Sequence, residues 1–401
     1  MNVLIAIVGL GFLILVHEAG HFFTALAVGM RPRKFYIGFP PALVRLRRKG
    51  VEYGIGLIPL GGYVAIPGMH RPAPGDLDLQ FGRALHVNPQ LVGPVERGKR
   101  ALRADDFEGA RAAVDEIEEV ASAAGAKASV ERGVQSLRDG LSSDAYWRQP
   151  TWKRVVVIFA GPATNFLVAI VLFAAIYMVS VSGYRLGFVM RAGSGNAVVA
   201  SVLPDRPASH AGLRAGDRIV AVNGVRITAT SLRSTINASH GTPLRLTVVR
   251  KGRRLALPPV RAYHDVVKGE SPPQALWSSL RITGHVTKEI GASLGSIFRA
   301  RGRKQISSPV GIVRGSEEAL REGFTTYLSV LGLISLSLAL LNLLPLLPLD
   351  GGHIAFSIIE GLRKRAVPRE VYERVSAIGI VLVAVLFFIG LSNDLGGRPG
   401  G

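Results

Sequence analysis

Apolar residues along this chain gather in four long blocks, at residues 3–28, 155–181, 327–349 and 375–391, with polar and charged stretches between them. Each block is at or near the length of about 20 helical residues needed to cross about 30 Å of hydrocarbon. Four transmembrane helices are the predicted framework. The first block lacks a basic leader, and polar residues fall where the apolar core of a signal peptide would continue. It is therefore read as a retained span.

The intervening stretches have their own periods. Residues 34–66 mix aromatic and β-branched residues with Gly and Pro, which predicts short strands and turns lying beside or within the membrane. In the polar stretch that follows, Phe107, Ala110, Val114, Ile117 and Ala121 recur at helical spacing, and so do Val130, Val134, Leu137 and Leu141. Two amphipathic helices forming a hairpin are expected there. The runs AVVASV, DRIVAVNG and LRLTVVR within residues 184–264 predict a compact α/β module, and residues 273–300 predict a helix on the membrane surface. The expected order is a first span (1–30), a β element (31–66), a cytoplasmic helical insertion (67–150) and a second span (151–183). An outer module (184–264), an amphipathic surface segment (265–325) and a third span (326–350) come next, then a cytoplasmic-side connection (351–374), a fourth span (375–392) and a tail (393–401). The fold class is a multi-pass α-helical membrane protein with four transmembrane helices, a membrane-associated β element and one extracytoplasmic α/β domain.

Charge orients this framework. The formal net charge is +20, and the basic residues crowd beside the apolar blocks. Arg31, Arg33, Lys34, Arg45, Arg47, Arg48 and Lys49 follow the first block, and Arg363, Lys364, Arg365, Arg369 and Arg374 lie between the third and fourth. The positive-inside rule places those loops in the cytoplasm and both termini outside, with membrane lipid as a partner of the basic segments. No nucleic-acid-reading motif accompanies the charge, so nucleic acid is not an expected partner. There is no cysteine. Disulfides, thiolate metal sites and cysteine nucleophiles are excluded, and any metal must be held by nitrogen and oxygen.

The stretch VHEAGHFF, residues 16–23, breaks the first block with three costly polar groups. His17 and His21 are four residues apart, one above the other on a helix, and can reach one Zn²⁺, with Glu18 as general base. Ionisable groups at membrane depth default to function because burying them is expensive. A catalytic zinc takes three protein ligands and keeps one position open. The third ligand is sought in LNLLPLLPLDGGH, residues 341–353, where Pro345 and Pro348 interrupt the helix and Gly351 and Gly352 allow close approach. Asp350 is preferred, since two histidines and a carboxylate form a standard hydrolytic set. His353 is the rival. The remaining histidines lie in polar segments and read as surface or turn residues.

These residues carry a resemblance. The chain resembles the site-2 protease family, intramembrane zinc metalloproteases of the bacterial RseP type that act in regulated intramembrane proteolysis. HEAGH and LDGG match the family's two metal motifs, and GFPPAL and GGYV resemble its membrane-dipping β element. WKRVVVIFAGPATNF and NLLPLLPLDGG are similar to its second span and its approach to the aspartate. The resemblance implies one zinc per chain held by His17, His21 and Asp350, with Glu18 as catalytic base. It also implies substrate-handling roles for Asn342, Asn165, Gly61, Gly62 and Tyr63. The segment AGLRAGDRIVAVNG resembles a PDZ domain, and the chain has room for one such module, acting either on a chain terminus or as a size filter. The implied activity is cleavage of the transmembrane segments of single-span regulatory proteins, such as anti-sigma factors, after a first extracytoplasmic cut. The implied location is the cell membrane.

Overall fold

A computed structural model describes residues 2–190, 197–296 and 308–395. Residues 297–307 of the expected surface segment and 396–401 of the tail lie outside the described residues. The chain divides into two compact units. One comprises Met1–Leu172 and Arg281–Gly401, the other Phe173–Leu280.

In the first unit, helix α1 (Asn2–Ala27) carries the first apolar block, and its exposed leucines, isoleucines and phenylalanines give it an apolar outer surface suited to lipid. Two strands follow, β1 (Lys34–Arg48) and β2 (Val51–Ala65). Their register is more involved than a simple hairpin. Residues 34–37 are flanked on one side by 52–55 and on the other by 62–65, while 42–48 pair with 51–56. Two bent strands thus make four rungs, with 62–65 at one edge. Residues 43, 44, 46, 55 and 57 are exposed leucine, valine and isoleucine, in keeping with a β element that meets lipid.

The polar stretch folds into four helices, not two: α2 (Pro74–Val87), α3 (Val92–Arg103), α4 (Phe107–Ala123) and α5 (Lys127–Leu141). Leu77, Phe81, Leu91, Val95, Ile117 and Val134 meet in one core. The first two helices escape a periodicity reading because Pro74, Pro89 and Pro94 and several glycines break up their stripes. Arg33 ties this bundle to the base of the sheet, pairing with Asp139 at 2.8 Å and Asp144 at 3.2 Å.

Helix α6 (Thr151–Met178) carries the second block. It crosses α1 at small residues. A Cβ added at Gly20 would lie 2.6 Å from the Ala160 carbonyl oxygen and 2.7 Å from Thr164 Oγ1. Such close approach is the usual basis of helix association where lipid surrounds both partners. The second unit begins near the end of α6. Its strands are β3 (Val181–Arg185), β4 (Phe188–Met190), β5 (Ala197–Val202), β6 (Arg218–Val222), β7 (Val225–Arg226), β8 (Pro243–Leu244), β9 (Leu246–Arg250), β10 (Arg253–Ala256), β11 (Val260–Arg261) and β12 (Tyr263–Val267). Short α7 (Pro207–His210) and α8 (Ala229–Ala238) complete it. The main sheet runs β10-β9-β6-β5-β4 with β7 beside β6. Val199, Ile219, Leu232, Leu246 and Val248 fill the core.

Helix α9 (Pro272–Ser296) leads out of this unit, and α10 (Pro309–Glu322) precedes the third span, α11 (Phe324–Asn342). The Tyr327 hydroxyl donates to the Ile5 carbonyl at 2.9 Å, and the Ser335 hydroxyl donates to the Asn165 carbonyl at 2.9 Å. These bonds fasten α11 to α1 and α6. The helix ends at Asn342, short of the expected 350. Residues 343–349 are irregular, and α12 (Asp350–Arg363) starts at the aspartate itself. Helix α13 (Arg369–Leu395) is, with α1, α6 and α11, one of four helices among the described residues long and apolar enough to cross a membrane.

Candidate metal centre

The helical repeat of α1 sets His17 and His21 on one face, with ring centroids 4.8 Å apart and each residue 6% exposed. The break after α11 lets the chain reach them. Gly352 packs so closely on the segment before it that a Cβ there would lie 2.5 Å from the Leu347 backbone nitrogen. Gly351 is equally tight against the Leu343 and Leu344 carbonyls. The first residue of α12 is thereby pressed toward α1. Asp350 Oδ2 lies 3.1 Å from His17 Nε2 and 3.4 Å from His21 Nε2, and the two Nε2 atoms are 3.2 Å apart.

Three donors in this triangle suit one small cation. A four-coordinate zinc with bonds of 2.0–2.2 Å requires its donors to be about 3.3 Å apart. Asp350 Oδ2 is buried and accepts no hydrogen bond of acceptable geometry, an orphaned acceptor in a low-dielectric setting. Three mutually facing acceptors need a positive centre between them. Among the described residues His17, His21 and Asp350 are the group able to share a metal.

The outer nitrogens set the tautomers. His21 Nδ1–H donates to the Val157 carbonyl at 2.9 Å, leaving Nε2 with its lone pair inward. Asn165 sits behind His17, fully buried, with its amide 3.3 Å from His17 Nδ1. Nδ2 faces the ring and Oδ1 has no partner. Rotating the isosteric amide half a turn satisfies Oδ1 with the Nδ1 proton and frees Nε2 as a ligand.

A cleft of about 570 Å³ opens on the triad. Glu18, Asn342, Gly61, Gly62 and Tyr63 line it, as do His17, His21 and Asp350. Gly62 is close enough to α1 that a Cβ there would lie 3.0 Å from Glu18 Cγ. The edge rung 62–65 therefore runs beside the glutamate. Asn165 does not line the cleft; its amide reaches the His17 imidazole from behind. His353 lines the cleft, but its Nδ1 is hydrogen-bonded to the Tyr372 hydroxyl, and it is not part of the triad. Sequence reasoning missed the Val157 carbonyl and Gly161 behind the imidazoles. A backbone acceptor leaves no signal in the residue types, although the proximity of Gly161 to Asn165 was visible.

Comparison with known proteins places these motifs in context. The profile of Peptidase family M50 matches residues 5–386. A "Zinc metalloprotease RasP" of Geobacillus kaustophilus is 29% identical over 430 residues, covering 97% of this chain and 96% of its own. A "Protease RseP" of Yersinia pestis is 28% identical over 443 residues, covering 97% of each. With four helices among the described residues fit to cross a membrane and a His-His-Asp group able to share a metal, this chain belongs to peptidase family M50, the site-2 proteases, and is a membrane metallopeptidase.

Proposed function

We propose that the protein is an intramembrane zinc endopeptidase in which His17, His21 and Asp350 hold one Zn²⁺ and Glu18 is the catalytic base. It cuts the transmembrane segments of single-span regulatory proteins. The observation that carries this reading is the meeting of Asp350 with the His17/His21 pair on a helix of membrane-spanning length, beside an acid that is not one of the three donors. A binding-only site would not need Glu18.

Bound zinc would polarise the scissile carbonyl and bring a water's pKa down to about 7. Glu18 takes the proton of the attacking water and then delivers it to the departing amine nitrogen as the C–N bond breaks. Asn165, from behind, holds the His17 ring in the ligating tautomer. The edge rung 62–65 offers backbone groups to an extended chain, and the Asn342 amide can bond the same chain from the other wall. A helical substrate has to unwind locally, because an intrahelical amide is hydrogen-bonded and shielded.

The second unit acts as a single PDZ module outside the membrane, on the strength of its AGLRAGD turn and compact sheet. The basic loops face the cytoplasm of the cell and both termini lie outside. Anti-sigma factors trimmed by an earlier extracytoplasmic cut are the expected substrates, and the chain's similarity to a protein named Protease RseP supports the protease activity this requires. Glu18→Gln tests the core of the reading. Purified variant should keep about one zinc per chain and lose cleavage of a membrane-spanning test substrate. Undiminished cleavage would remove Glu18 from the chemistry.

A further inference from the structure

A second cavity of about 520 Å³ adjoins the cleft, and the two share a wall, since Met69 and His353 line both. This second chamber is cationic. Arg71, Arg154, Lys364 and Arg365 line it against a single carboxylate, Glu360. Glu360 is already engaged: it accepts from Arg154 Nη1 at 2.6 Å and from the Val367 backbone N–H at 2.9 Å. Arg71 is paired with Asp105. Lys364 and Arg365 have no carboxylate partner among the described residues. Arg154 is only 6% exposed, and its buried Nε–H has no acceptor. Lys364 and Arg365 are exposed and keep their charges in water, so the polar group here that is unfavourable until an acceptor enters is the buried Arg154 Nε–H, and the two exposed cations favour an acceptor that is anionic. Tyr146, Trp147 and Phe356 add aromatic wall suited to a peptide chain.

We propose that this chamber binds the newly formed C-terminal carboxylate of the acyl-side product before release. The inference rests on the peptidase reading of the adjoining cleft. Hydrolysis adds OH to the carbonyl carbon and H to the departing nitrogen, so one neutral amide becomes a carboxylate and an amine. With a pKa of about 3.3–3.7 the new carboxyl group is ionised at neutral pH. To reach the chamber the carboxylate passes between Met69 and His353, the residues the two cavities share, and there meets Lys364 and Arg365, which repel the ammonium of the other fragment. Charge then parts the two products and clears the cleft. The helical insertion also gains a role, because Leu102 of α3 and Pro72 just before α2 are part of the chamber wall.

The test reads binding, not turnover. Full-length Glu18→Gln protein in phosphatidylcholine nanodiscs is titrated with a short apolar fluorescent peptide ending in a free carboxylate, and with its C-terminal amide. The acid should bind about tenfold tighter, and Lys364→Gln/Arg365→Gln should abolish that preference at unchanged zinc content. The preference should also survive chelator treatment. Equal affinities, a preference untouched by the double substitution, or one lost with the metal would each overturn the proposal. Displacement of the acid by phosphatidylglycerol or inorganic phosphate as effectively as by unlabelled acid would reassign the chamber to a headgroup or free anion and also overturn it. If Glu18→Gln protein still cleaves, the proposed base fails while this binding result stands or falls by itself.

Discussion

Gly161 of α6 lies flat against the imidazole of His21. A Cβ at this glycine would overlap the His21 ring and come within 2.9 Å of His17 Cε1. The second span is therefore the back wall of the candidate metal centre, with no room for even one methyl group. Gly161→Ala should push both rings off the triad. Overpacking of this kind costs about 1–3 kcal/mol. Zinc per chain, measured by elemental analysis, should fall well below one while the purified protein stays folded. Full zinc occupancy in Gly161→Ala would mean that the rings have slack the structure does not give them.

Asn165 should matter through His17 alone. Removing a residue that orients a ligand's outer nitrogen typically costs 10–100-fold in metal affinity, and Asn165→Ala is expected to weaken zinc by about that factor. Asn165→Asp keeps an acceptor for the Nδ1 proton and should retain most of the affinity. Competition with a chromophoric chelator gives both numbers. An alanine variant that binds zinc as the parent does, yet has a raised KM, would return this residue to substrate contact.

Asp217 gives the second unit an acid-sensitive lock. It is fully buried. Burial pushes its carboxyl up, but the Arg250 guanidinium at 2.7 Å and the Arg214 backbone N–H outweigh that and hold it below the usual carboxylate value. A depressed folded-state pKa stabilises above the unfolded-state value, here near 3.9, and the contribution fades as pH falls through the folded value. Hydrogen exchange of residues 197–261 in the whole protein should therefore accelerate below about pH 4, beyond the intrinsic pH effect. Asp217→Asn should exchange faster at neutral pH and show a flatter acid response. An unaltered acid profile in the variant would remove Asp217 as its source.

Arg33 should decide how firmly the four-helix insertion is held. It is 27% exposed at its side chain and neutralises Asp139 and Asp144 together. Arg33→Ala leaves two half-buried carboxylates facing one another, at a cost of about 1–3 kcal/mol to docking. Limited proteolysis around residues 67–73 should speed up accordingly. Identical digestion rates would show that the aromatic contacts among Phe107, Trp147, Arg71 and Arg148 hold the bundle unaided.

Much of this arrangement is legible from residue order. The polar trio in the first block and the carboxylate in LPLDGGH stand out because membrane depth makes each expensive. The stripe of α4 and that of α5 are plain because nothing interrupts them. Other features leave no such trace. Helices α2 and α3 hide behind prolines and glycines. The four-rung register of β1 and β2 depends on long-range pairing that alternation does not encode. That the Asn165 amide lies behind the His17 imidazole is likewise a long-range contact that the residue order does not reveal.

The triad also bears on biosynthesis. Its two nitrogen donors enter the bilayer with α1, but its oxygen donor arrives only after the third span and the Leu343–Leu347 fold-back are in place. A ribosome-tethered or prematurely terminated chain thus carries imidazoles without their anion. On the proposed reading, a chain that ends before residue 350 lacks the third metal donor and with it the means to cut neighbouring membrane proteins.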